Sequence, residues 1–164
     1  MDSLPRPIPY LSFASLGVST IVCAIAMTGL SLAASPLLWS IPVSFAATLP
    51  YHITILTLAR VEPHGSSRLF SRFKIVWVFA VSTLWTISTC LAVVSVILKE
   101  RNLFPKYDMR VGIWLMETCA ALALTESLLS WANAILCWKE RKRITRAAKW
   151  TPIVINRSWS MNRK

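Results

Sequence analysis

Apolar residues run through this chain in four long stretches that carry almost no charge, and the charged positions gather between and after them. A bilayer core about 30 Å thick is crossed by roughly 20 apolar residues in an α-helix, so each stretch is long enough to span. Between Arg6 and Arg60 lie 53 residues whose only side chain titrating near neutral pH is His52. Wholly helical, they would reach about 80 Å, so the run must double back. The hairpin is expected at Ala33-Ala34-Ser35-Pro36, where Ser35 can cap the next helix and Pro36 suits its first turn.

The pattern predicts helix 1 near 10–33 and helix 2 near 36–59. Helix 3, near 75–98, is bracketed by Arg72 and Lys74 before it and by Lys99, Glu100 and Arg101 after it. Helix 4, near 111–138, lies between Arg110 and the cluster Lys139, Arg141, Lys142 and Arg143, and it alone carries carboxylates within its apolar zone, Glu117 and Glu126. The fold class is therefore all-α: an integral membrane four-helix transmembrane bundle. A short N-terminus, 1–9, precedes it, and a basic tail, 139–164, follows; Pro152 to Lys164 lacks periodicity and is expected to be mobile.

Composition agrees, because 55% hydrophobic residues in 164 exceed what a small soluble domain buries in one core. A net charge of +11 would suit a nucleic-acid binder, but no folded soluble surface is left to display it, so nucleic acid is not an expected partner. Fourteen of the 18 Lys and Arg fall in the N-terminus, the 60–74 loop and the tail, against four in the 99–110 loop. The positive-inside rule then predicts that both termini are cytoplasmic. Met1 to Pro9 does not read as a signal peptide, so helix 1 is expected to stay as an anchor.

Small and polar residues mark the faces on which membrane helices meet, since lipid is as apolar as Leu. On helix 4, Gly112, Met116, Cys119, Ala123, Glu126, Ser130, Asn133 and Cys137 follow alternating steps of four and three, the spacing of a left-handed packing seam. Helix 1 offers Ser12, Ser15, Ser19, Cys23 and Ala26; helix 2 offers Ser44, Thr48 and His52; helix 3 offers Ser82, Thr86 and Thr89. Such stripes also arise by chance, because Ser, Thr and Ala are common in membrane helices. Glu126 and His52 lie about 4 and 7 Å to the cytoplasmic side of their helix midpoints, with Thr86 near its own, so the three are expected to meet as an intramembrane polar cluster. A carboxylate at that depth must be neutral or well bonded.

Two readings of Glu126 and His52 stand side by side: a relay for protons or cations, and an interhelical hydrogen bond that sets packing. The tail cations Lys139, Arg141, Lys142, Arg143, Arg146 and Lys149 are expected to touch anionic inner-leaflet headgroups, or to serve only as the charge that orients the chain. Cys137, at the membrane edge, is a palmitoylation candidate. Enzyme signatures are missing: His64-Gly65-Ser66-Ser67 reads as a polar connector, and no metal-ligand spacing or phosphate-cradling glycine loop occurs. Neither catalysis nor a cofactor is expected.

Four spans within about 130 residues, cytoplasmic termini, a very short first outer hairpin and a basic tail resemble the MARVEL-type tetraspan membrane proteins. The likeness covers residues 10–143 and is one of layout. It implies a role in membrane apposition, lipid-domain organisation or vesicle traffic without catalysis, the chain associating with itself or with a lateral membrane-protein partner. The alternative is a small proton-linked transporter or channel subunit using Glu126 and His52.

Overall fold

The computed structural model describes residues 7–31, 36–61, 71–101 and 113–161, with side chains of the last stretch described to residue 146. Four helices account for nearly all of it: α1 (Pro7–Ser31), α2 (Ser40–Val61) led in by a 3-10 turn (Pro36–Trp39), α3 (Arg72–Glu100) and α4 (Ile113–Met161). All four are long and apolar enough to cross a membrane. Each packs on its neighbour in sequence, and α4 closes the ring against α1, with α3 and α4 sharing the most extensive interface. Ile8 at the start of α1 clusters with Tyr51 and Ile55 late in α2, Val78 early in α3, and Ala134 and Cys137 late in the span of α4. The helices therefore alternate in direction, and the amino end of α1 lies at the same end of the bundle as the exit of α4.

The surface is inverted relative to a soluble bundle. Phe13, Ile21, Val43, Val76, Trp114 and Leu128 point outward, while Ser12, Ser15, Ser19, Ser82, Ser95 and Glu126 are buried. This is the distribution of a helical multi-pass membrane protein, in which lipid contacts the apolar side chains and the helices meet through small and polar ones. Exposed threonines fit because they bond locally. Thr20, Thr28, Thr57, Thr83, Thr118 and Thr125 each donate to the carbonyl four residues back, at 2.7–3.0 Å. A hydroxyl bonded in this way does not have to seek the interior.

Two apolar clusters fill the core. One lies at the end holding Ile8 and Cys137. The other joins Val22 and Ala26, Leu38 and Ile41, Trp85 and Ala92, and Met116 and Cys119. Between them runs a polar layer, which contains the candidate site.

The largest difference from the expected boundaries concerns α4. It does not end at Trp138 but continues to Met161, so the stretch expected to be mobile is helical through residue 161. Its 49 residues reach about 74 Å, more than twice the bilayer core. Leaving the apolar zone does not end a helix when the residues beyond favour one, and Lys139 to Ala148 contains five Arg and Lys, two Ala and one Glu. Glu140 and Arg143, one turn apart, form an ion pair of 3.1 Å on the exposed part. α2 likewise continues through Pro50 without a break.

Candidate functional site: a buried polar layer between four helices

The predicted seam of α4 faces inward along its described length. Met116, Cys119, Ala123, Glu126, Ser130, Asn133 and Cys137 are all buried, at no more than 4% exposure, which identifies them as the face on which the bundle closes. Gly112 lies outside the described residues.

Glu126 is at the centre and is fully buried. The Ser15 hydroxyl of α1 donates to its Oε1. Ser130, one turn further along α4, directs its hydroxyl at the same oxygen from 3.4 Å. Ser15 also lies 3.0 Å from Nε2 of His52 on α2. A hydroxyl carries one proton, so while Ser15 donates to Glu126 it accepts from Nε2–H, and His52 then has its lone pair on Nδ1. The expected pairing of Glu126 with His52 is thus real but indirect: they sit on diagonal helices, α4 and α2, and a serine of α1 bridges them. Three further buried polar atoms, Ser12 Oγ, His52 Nδ1 and Glu126 Oε2, have no partner among the described residues.

Thr86 does not join this group, which corrects the expected triad. It sits on the outer edge of the α3–α4 interface, where its hydroxyl donates to Ser82 O at 2.9 Å, lies 3.1 Å from Ser127 Oγ and accepts from Trp131 Nε1 at 3.1 Å. The reason is rotational. The buried face of α3 runs through Val78, Ser82, Trp85, Ser88, Thr89, Ala92 and Ser95, and residue 86 falls beside it.

That face holds a residue the polarity pattern did not single out. Trp85 is fully buried and donates its indole N–H to Thr48 Oγ1 at 2.8 Å. A large ring that also needs one acceptor fits where a threonine of α2 can accept while still donating to Ser44 O at 2.7 Å. One turn further along α3, Ser88 meets Ser44 Oγ at 2.8 Å and donates to Ser40 O at 3.1 Å.

Cys137 is buried rather than presented at the membrane edge. Its thiol lies 3.8 Å from Tyr51 Oη and 3.7 Å from Asn133 Oδ1, so acylation there would have to draw it out of the bundle. Among the tail cations, Arg141 is half-buried, whereas Lys139, Lys142, Arg143 and Arg146 are exposed. Lys142 Nζ sits 3.7 Å above the ring of Trp138. The side chain of Lys149 and the connector with His64 lie outside the described residues.

Chemically, the polar layer can do two things. It can hold four helices in one register, because the bonds of Ser15 with His52 and Glu126, of Trp85 with Thr48 and of Ser44 with Ser88 each cross between helices. It can also hold a mobile proton: in the row Glu126 Oε1, Ser15 Oγ, His52 Nε2, the serine can pass a proton in one direction while receiving one from the other. Comparison with family models, with curated proteins and with solved structures finds no match for this chain.

Proposed function

We propose that this chain is a non-enzymatic membrane organiser or assembly partner, a four-helix unit held in the lipid plane with both termini cytoplasmic and its basic end on the anionic inner leaflet. The observation that carries this reading is how the buried polar groups pair. Ser15 bonds His52 and Glu126, Thr48 accepts from Trp85, and Ser44 meets Ser88, so α1, α2, α3 and α4 are joined to one another inside the bundle. Side chains used in this way set shape, and a unit of fixed shape with an apolar exterior is suited to lateral association with itself or another membrane protein. The layout's resemblance to MARVEL-type tetraspans supports the same role.

One observation favours a second reading, a small proton-linked transporter or channel subunit. Glu126 Oε2 and His52 Nδ1 flank the Ser15 bridge without a partner among the described residues, and a buried polar atom in that state calls for an explanation, of which a working role is one. Glu126→Gln separates the two. The amide keeps an acceptor for Ser15, so the organiser retains its fold and localisation, whereas a carrier that uses the carboxyl loses proton-coupled flux. Flux measured in proteoliposomes that disappears in a normally folded E126Q protein would replace the first reading with the second.

A further inference from the structure

A cleft of about 520 Å³ opens between α3 and α4 at the end of the bundle where the charged part of α4 begins. Its apolar lining comes from Ile75 and Val76 of α3 and the indole of Trp138. Its cations come from Arg72 at the start of α3 and from Arg141, Lys142 and Arg146 of α4, with the Lys142 ammonium lying over the Trp138 ring. Residues 138, 141, 142, 145 and 146 recur at steps of three and four, so α4 presents a single face to it. Lys139 and Arg143 fall roughly 100° to 140° round the helix from Trp138 and do not line it.

Among the described residues no carboxylate pairs with these four cations; Glu140 is engaged with Arg143 on the neighbouring face. The amino end of α3 adds to the positive potential. Ser71 stands at its N-cap without a side-chain cap bond, and the first residue after it is Arg72.

We propose that this cleft is a binding site for one phospholipid with a phosphomonoester-bearing headgroup, of the phosphoinositide class. The apolar and the cationic lining match the two parts of such a molecule. The glycerol and upper acyl chain lie on Ile75, Val76 and Trp138, and the phosphates lie between Arg72, Arg141 and Arg146, whose planar guanidinium groups can each take two phosphate oxygens. Three arginines and a lysine exceed the single negative charge of a phosphodiester. A headgroup phosphomonoester adds about −1.5 to −2 apiece, which favours phosphoinositides over phosphatidylserine. The volume lies within the range of small-molecule sites. The lipid would also join α3 to the extended part of α4, so occupancy would set the angle at which the helix leaves the membrane.

The inference rests on the reading that this end faces the anionic leaflet, and the test keeps the two apart. The full-length protein in detergent is titrated with short-chain phosphatidylinositol 4,5-bisphosphate, with phosphatidylserine and with soluble inositol hexakisphosphate, and bound lipid is counted by native mass spectrometry. Two variants remove the same charge: R72Q with R146Q inside the cleft, and K139Q with R143Q outside it. The expected result is one bisphosphate lipid held in preference to phosphatidylserine, weakened about twenty-five-fold by the first pair, at about fivefold per charge, and little changed by the second. R72K with R146K should recover part of the loss, and circular dichroism confirms that each variant is folded.

Equal weakening by both pairs would overturn the cleft and leave general attraction of the basic end to anionic lipid. Equal binding of inositol hexakisphosphate would overturn the lipid assignment in favour of a soluble polyphosphate. Failure of wild-type protein to bind either lipid would remove the leaflet-contact reading as well.

Discussion

At the scale of single residues, the consequences of a substitution depend on what the remaining partners can still do. Ser15→Ala removes the donor to Glu126 and the acceptor for His52 together, leaving His52 Nε2 unmet and Glu126 Oε1 with only the 3.4 Å approach of Ser130, at about 1–3 kcal/mol for an unmet buried group. Ser44→Ala should be much milder, because Ser88 still donates to the Ser40 carbonyl. Thermal unfolding in detergent should therefore rank S15A well below S44A, and equal midpoints would disprove the bridging role of Ser15. Trp85 gives a similar contrast. Trp85→Phe loses one interhelical hydrogen bond, about 0.6 kcal/mol on membrane-protein averages, while Trp85→Ala opens a core cavity at about 3–5 kcal/mol. Loss of folding in W85F would show that the bond to Thr48 matters more than the ring. Much at this scale was legible in the sequence. Glu126 and His52 stood out because a charged or ionisable group in an apolar run needs a partner inside. Thr86 misled because threonine can bond its own helix and so carries little information about direction, and Trp85 was overlooked because a tryptophan in a membrane helix reads equally well as lipid-facing.

At the scale of elements, the long charge-free apolar runs located all four helices, and the four-and-three steps of α4 identified its buried face in the described stretch. The end of α4 was not legible. A change from apolar to basic residues marks where a helix leaves lipid, but the hydrogen-bond ladder does not depend on the solvent outside and continues wherever local propensity allows. Spin labels placed singly from residue 132 to residue 146 should accordingly show accessibility to a polar relaxation agent that rises toward the tail while oscillating every 3.6 residues throughout. A profile that turns flat after residue 138 would contradict the continuous helix. Lys142→Pro should weaken it locally, since proline in a helix interior costs about 3 kcal/mol, and should kink rather than end it, as α2 continues through Pro50 and α4 through Pro152, while the buried span before it keeps its stability.

At the scale of the whole molecule, four antiparallel helices return the chain to the end of the bundle from which it set out. Reporter tags at the amino and carboxyl termini should therefore be equally protected in sealed vesicles and become reactive together on permeabilisation; opposite behaviour of the two tags would exclude a four-span arrangement. The spans, their number and the small-residue faces followed from the sequence alone, because lipid imposes a length, an apolar composition and backbone self-sufficiency on each segment independently of its neighbours. Which helices stand diagonal to each other, and hence that Ser15 is the bridge between Glu126 and His52, came only from tertiary packing. The same holds for the cleft that brings Arg72 beside Arg141 and Arg146. Contacts of that kind depend on the rotation of each helix about its axis, and rotation is decided jointly by all the faces that must fit at once.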